Sequence, residues 1–209
     1  MKLEFIIIIS YLLGSIPFGL ILTKIFLKKD IRKIGSGNIG ATNALRTGNK
    51  AIGYSTLIFD ILKAVIPVIY VKIYYTDYLY ISSLCVFLGH VFPIWLKFKG
   101  GKGVATYVGI LCCLNIFLGI SFGIIWFIVF FVSKYSSLSS LLGALSIPII
   151  NFFIFNHDVV FFFIIMFILI FYTIYVKRKS RPRLSADSFF AHEQYVCEGG
   201  FWSSRGVAR

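Results

Sequence analysis

A chain of 209 residues that is 58% hydrophobic and only 14% charged lacks the polar surface of a soluble domain, which ordinarily has about 25% of its residues charged. The net charge of +13 first suggests nucleic acid. That partner is excluded by the pattern: the basic residues sit in short clusters between long apolar runs, as in cytoplasmic loops that follow the positive-inside bias. Several runs almost free of charge have the length of a bilayer span, so the expected fold is all-α, a polytopic membrane protein with one membrane domain.

The first apolar run, about Leu3 to Leu27, predicts a span with Gly14, Pro17 and Gly19 as packing or kink points. It shows no convincing small-residue cleavage site and is read as a retained span, not a signal peptide. A polar, basic island follows, Lys28 to Lys50, reading K-K-D-I-R-K-I-G-S-G-N-I-G-A-T-N-A-L-R-T-G-N-K. Gly35, Gly37 and Gly40 allow close approach of backbone to a ligand. Ser36, Asn38, Thr42 and Asn43 add short hydrogen-bonding groups, and Arg32, Lys33, Arg46 and Lys50 add positive charge. Free amides running into a helix start, beside guanidinium and ammonium groups, suit an anion and above all phosphate.

Span two, about Ala51 to Val71, carries Asp60 and Lys63 on one helical face. Charges at that depth are costly and should pair or face a polar cavity. An aromatic turn at Tyr74 to Tyr80 leads to span three, about Leu79 to Leu96, which contains His90 and Pro93. A second glycine-rich basic loop follows, K-F-K-G-G-K-G-V-A-T at 97–106. Gly100, Gly101, Lys102 and Gly103 there place a lysine and backbone amides at a helix start, again suited to phosphate, although the spacing is not that of a Walker A loop. Cys85, Cys112 and Cys113 lie in apolar spans, and no cysteine, including Cys197, has metal-ligand spacing; neither a disulfide framework nor a metal site is expected.

From Gly103 to Ser133 the chain is uncharged. As one helix this run would be about 45 Å long, too much for a hydrocarbon core of about 30 Å. Charge parity resolves the matter. The 28–50 loop and Lys97, Lys99 and Lys102 belong inside; if 103–133 crossed once, Lys134 and the cluster Lys177, Arg178, Lys179, Arg181 and Arg183 would fall outside. If it crosses twice, turning near Asn115, every basic cluster is inside. Two further spans run from about Leu138 to Phe155 and Val159 to Val176. The expectation is seven spans with short middle ones, the amino end outside and the carboxyl end inside. The two glycine loops, the Lys134–Ser140 turn and the tail then meet at the cytoplasmic face, where an anionic, water-borne substrate would bind beside lipid.

G-S-G-N-I-G-A-T-N-A-L-R (35–46) and G-H-V-F-P-I-W-L-K-F-K-G-G-K-G-V-A-T (89–106) together resemble the acyl-phosphate-dependent glycerol-3-phosphate acyltransferase family of bacterial membranes. The early G-S-I-P-F-G, the D-I-L-K of span two and the Y-S-S-L-S-S turn are similar to that family as well, so the likeness covers roughly residues 1 to 175. It implies a seven-spanning enzyme of the bacterial inner membrane with a cytoplasmic active site. The reaction implied is transfer of a fatty acyl group from acyl phosphate to the 1-hydroxyl of sn-glycerol 3-phosphate, giving lysophosphatidic acid, with no cofactor. Acyl phosphate is an activated mixed anhydride, so no covalent nucleophile is required; the enzyme orients and neutralises. Consistent with that, no G-x-S-x-G elbow and no H-x-x-x-x-D box occurs.

By match to the family's first motif, Ser36, Asn38, Asn43 and Arg46 bind phosphate or orient the acceptor; by match to the second, Lys102 with the Gly100–Gly103 amides holds a phosphate. Ser137 and Ser140 stand where the family has hydroxyls near the site, and His90 is either catalytic or simply packed. Gly35, Gly37, Gly40, Thr42, Thr106, Asp60 and Lys63 complete the expected substrate-binding set. The family's third motif, approximately H-R-x-N-I-x-R-L, is missing after the last span, where this chain reads F-Y-T-I-Y-V-K-R-K-S-R-P-R-L. Residues 1–176 are therefore read as the membrane domain and 177–209 as a cytoplasmic tail, either divergent or non-native to the family. Two alternatives stay open, an inactive family remnant and a transporter of small phosphorylated solutes.

Overall fold

The computed structural model of the chain describes residues 2–155 and 159–179. His192, Cys197 and most of the expected tail lie outside the described residues. Within them the fold is helical: α1 (Lys2–Gly14), α2 (Phe18–Leu27), α3 (Ala41–Leu45), α4 (Lys50–Tyr74), α5 (Leu79–Val91), α6 (Val104–Leu114), α7 (Ile116–Ser133), α8 (Ser136–Ile150) and α9 (Val160–Lys179). A π-helical turn, Asn151–Phe155, extends α8 just past Pro148, whose missing N–H disturbs the helical ladder. Helix α9 runs through the 176/177 division expected from sequence.

Among the described residues, five segments are long and apolar enough to cross a membrane: Lys2–Leu27, Thr76–Leu96, Ile116–Ser133, Ser136–Ile154 and Val160–Lys179. The outer surface is itself apolar. Only 17% of α7 is buried, with Phe127, Phe131 and Val132 facing outward. Exposed Phe and Ile on this scale need hydrocarbon as solvent, and the chain is a multi-pass membrane protein. Its interior is a compact apolar core, including Val68, Phe87, Tyr107, Leu111, Phe122, Ile147, Met166 and Ile170.

Small residues let the helices approach closely, as expected where burial from water supplies no drive between spans. Gly14 of α1 lies against the Val86 backbone of α5, and Gly89 of α5 against the Tyr11 carbonyl, while Ser10 and Ser82 hydrogen-bond across the same interface at 2.8 Å. Gly109 of α6 sits on Ile61 and Ala64 of α4.

Two chain breaks interrupt this bundle. The first span splits at Ser15–Pro17, because proline brings no donor. The uncharged 103–133 run splits at Asn115, which is extended and whose side chain accepts from Phe117 N at 2.9 Å to cap α7. Helix α7 then folds back on α6, so that Gly119 touches Cys112. Each break frees a carbonyl, and α4 supplies a lysine to each: Lys63 Nζ donates to Ile16 O at 2.8 Å, and Lys72 Nζ to Cys113 O at 2.5 Å. Irregular backbone survives inside a membrane protein when protein groups satisfy it in this way. Lys63 is in turn neutralised by Asp60 at 2.8 Å, so the costly pair on the face of α4 is internal framework.

Candidate functional site

The loops 28–49, 92–103 and 134–135 and the end of α9 occupy one end of the bundle. In the first loop, Asp30 starts a 3₁₀ turn (Ile31–Lys33) by accepting from Arg32 N at 3.0 Å, and its carboxylate pairs with the Arg32 guanidinium at 2.7 Å. That hydrogen-bonded guanidinium holds Asp30 down at about 2. A carboxyl whose folded pKa is depressed stabilises the fold at pH above its ordinary value and loses that contribution as pH falls toward 2. The pair is largely exposed, so solvent screening keeps its worth under about 1 kcal/mol. Asp30→Asn should therefore lower the melting temperature slightly at neutral pH, and the gap to the parent should close between pH 4 and 2 in a pH series of thermal melts.

Ile31 and Ile39 are buried against Leu20, Ala44 and Ile52 and pin the loop to α2, α3 and α4. Its centre is the buried side chain of Asn43. Asn43 Nδ2 donates to the carbonyls of Ile31 (3.0 Å), Ile34 (2.9 Å) and Asn38 (2.8 Å), and Oδ1 accepts from Ser36 N at 2.9 Å. With its donor and acceptor atoms thus engaged, Asn43 shapes the loop from within. Gly35 has φ +50 and lies beneath both Asn43 Oδ1 and the Arg46 side chain, where a β-carbon would collide. Ser36, Asn38 and Gly40 are half-buried, and Thr42 and Arg46 are exposed. Asn43→Ala orphans several loop groups and should cost about 2 kcal/mol. Limited proteolysis checks this: cleavage within 31–46 should accelerate, and Asn43→Asp, which lacks the amide donor, should not restore resistance.

The second loop is folded onto the end of α5. Gly100 N donates to Val91 O and Gly101 N to His90 O, both at 3.0 Å. The expectation that these glycine amides stand free for phosphate is corrected for Gly100 and Gly101, because the α5 carbonyls left without helical partners claim them. The same holds in the first loop for Ser36 N and for Gly37 N, which bonds Ile34 O. Gly101 packs directly on the buried His90 ring, whose Nδ1 is 3.8 Å from Asp60 Oδ1. Gly103, at φ +83, turns the chain into α6 against Phe87. Between these glycines Lys102 is half-buried and reaches Ser137 Oγ of α8 at 2.7 Å.

Other expected contacts are internal. Thr106 is fully buried and donates to Asp60 O at 3.3 Å; Ser140 is buried, donates to Ser136 O at 2.8 Å and hydrogen-bonds Trp126 Nε1 at 3.1 Å. Beside the loops a cleft is lined by Arg32, Trp95, Leu96, Lys97 and Lys99, with Trp95 Nε1 donating to Ser15 Oγ at 2.7 Å.

The sequence reading placed this last span but gave Thr173 and Lys177 of α9 no role at the site. Thr173 Oγ1 donates to Ile170 O at 2.9 Å with Lys102 O 3.3 Å away, and Lys177 Nζ donates both to Asn38 Oδ1 at 2.7 Å and to Gly100 O. The two residues are four apart and share a helix face. That spacing, in a helix ending in basic residues, was the available signal; no motif marks it.

A family model described as glycerol-3-phosphate acyltransferase matches residues 4–186. The chain belongs to the glycerol-3-phosphate acyltransferase family. It is 71% identical over 164 residues to a glycerol-3-phosphate acyltransferase of Pelagibacter ubique (strain HTCC1062), covering 78% of this chain and 85% of the relative. A glycerol-3-phosphate acyltransferase from the Wolbachia of Brugia malayi (strain TRS) is 47% identical over 178 residues, covering 84% and 92% of the two chains. Among solved structures, the integral membrane glycerol 3-phosphate acyltransferase PlsY (YgiH) in its glycerol 3-phosphate form superposes with a TM-score of 0.78 at 32% identity, over 91% of this chain and 99% of that one. The same enzyme in its lysophosphatidic acid form gives 0.75 at 35% identity, over 83% and 88%. Membership in this acyltransferase family rests on most of the chain's length, both glycine loops included.

Proposed function

We propose that this chain transfers a fatty acyl group from acyl phosphate to the 1-hydroxyl of sn-glycerol 3-phosphate, forming lysophosphatidic acid and inorganic phosphate. One observation carries this reading: two glycine-rich cationic loops from distant parts of the chain are joined at one end of a membrane bundle, through Lys177 and beside the Lys102–Ser137 pair. Both substrates present a phosphate, and two basic loops have two phosphates to hold. The names of the relatives and the glycerol 3-phosphate and lysophosphatidic acid forms of the solved enzyme support the acceptor and the product.

The acceptor hydroxyl attacks the acyl carbonyl carbon, the carbon–oxygen bond to phosphate breaks, and the departing phosphate takes the hydroxyl proton. No covalent enzyme intermediate is needed. Lys102, oriented by Ser137, neutralises one phosphate, and Arg46 faces the other from the first loop. Ser36 and Asn38 orient the acceptor, with Gly35, Gly37 and Gly40 giving access and Thr42 at the rim. Asn43, Thr106, Ser140, His90 and the Asp60–Lys63 pair hold these groups in place.

In the membrane, α1 with α2, then α4, α5, α6, α7, α8 and α9 make seven crossings. The amino end lies outside and the loops face the cytoplasm of a bacterial inner membrane, an orientation supported by the basic residues of both loops and of the α9 end. Lipid solvates the acyl chain while water delivers glycerol 3-phosphate. Purified protein in detergent, given palmitoyl phosphate and labelled glycerol 3-phosphate without acyl-CoA, should form labelled lysophosphatidic acid. No product, with glycerol 3-phosphate flux in liposomes instead, would overturn the proposal in favour of a transporter.

A further inference from the structure

We infer that Lys177, at the end of the last helix, is the clasp that holds the two phosphate loops in register, and so is a positioning residue for acyl transfer. The inference rests on the proposed reaction. Lys177 donates to the side chain of Asn38 in the first loop, a residue 139 positions away, and to the carbonyl of Gly100 in the second. The first loop is pinned by its own Asn43 and by Ile31 and Ile39, and the second by the α5 carbonyls; Leu96 of the second loop also packs on the Ile31 and Ile39 cluster, but that apolar contact sets no hydrogen-bond register. A cation with three donors on one nitrogen can join them, and an ammonium strengthens each bond relative to a neutral donor.

Thr173, one turn earlier on α9, donates to Ile170 O at 2.9 Å within its own helix, with Lys102 O 3.3 Å from the same hydroxyl, so this helix face lies against the second loop. The clasp therefore joins two points, Asn38 and Gly100, with the backbone of Lys102 packed beside it. It also explains why a chain without the third motif keeps the end of α9 in contact with the site. The ammonium lies between two loops proposed to hold anions, so its removal takes away loop register and local positive charge together.

The test compares Lys177→Met and Lys177→Arg with the parent in lipid nanodiscs by two readouts. The first is steady-state kinetics with palmitoyl phosphate and glycerol 3-phosphate. Lys177→Met should raise KM for both substrates about tenfold, the scale of one lost charge-assisted hydrogen bond, with a smaller change in kcat. Lys177→Arg, which keeps charge and donors, should recover most of the loss. The melting temperature should hardly move, since the bundle core is untouched. The second readout is hydrogen exchange, which needs no activity. Amides of 34–40 and of 98–103 should exchange faster together in Lys177→Met and recover in Lys177→Arg. Unchanged exchange in either loop, or equal KM values in parent and Lys177→Met, overturns the clasp. A parent that binds no substrate and forms no product while both loops loosen in Lys177→Met leaves the clasp standing and counts against the proposed reaction alone.

Discussion

Lys102→Ala should lower kcat/KM for acyl transfer about a hundredfold, while the protein still folds. A hundredfold is about 2.7 kcal/mol, the size of one hydrogen-bonded charge removed from a phosphate. Lys102 is half-buried at the loop end and touches Ser137, so its loss opens no hole in the core. Three nearby hydrogen bonds keep the loop in place without it: Gly100 N and Gly101 N on the α5 carbonyls, and Lys177 on the Gly100 carbonyl. The loss should fall mainly on KM for a phosphate substrate if the charge grips ground state and transition state alike. Ser137→Ala should cost far less, because the charge stays and only its orientation is relaxed. Initial-rate kinetics with each substrate varied in turn decide the matter; a Lys102→Ala enzyme with parental constants would remove the second loop from the site.

The largest effect on stability should come from Asp60→Ala. Asp60 and Lys63 pair at 2.8 Å with side chains 3% and 2% exposed. Removing the carboxylate leaves an ammonium buried without its counter-charge, at a cost of about 3–5 kcal/mol, a large share of a typical total of about 5–15 kcal/mol. The damage should spread to the first span, since Lys63 also holds the Ile16 carbonyl at the Pro17 break. Asp60→Leu with Lys63→Met removes both charges, and the double variant should be clearly more stable than Asp60→Ala. What remains lost is the Ile16 bond, about 1–2 kcal/mol. Thermal inactivation in mild detergent ranks the three proteins; a double variant as unstable as the single one would mean that the pair is not an isolated charge couple.

Local chemistry was legible in the sequence, and long-range partnership was not. The uncharged 103–133 run was too long for one span, and the chain does break at Asn115, whose side chain can cap a helix. The glycine loops stood out by composition, and Lys102 and Ser137, 35 positions apart, were both picked from motif matches before the geometry joined them. Asn43 was read as a ligand contact because an exposed and an inward asparagine look alike in sequence; only the fold shows its amide spent on Ile31, Ile34 and Asn38. Thr106 and Ser140 likewise turn inward, which sequence alone does not show. Gly100 and Gly101 were expected to offer amides, and nothing local reveals that the end of α5 would take them. Lys177 was counted as one of a row of basic residues, since its partners lie 139 and 77 positions away.

The account depends on the two loops lying together on one side of the membrane. Nitroxide labels at Thr42→Cys and Lys99→Cys, on a background without the native cysteines and in lipid nanodiscs, measure this by electron dipolar coupling. Because one nitrogen bridges Asn38 and Gly100, chain reach predicts a distance distribution centred below about 25 Å. A distribution centred near about 40 Å, the full thickness of the bilayer with its headgroups, would put the loops on opposite faces and contradict the shared site.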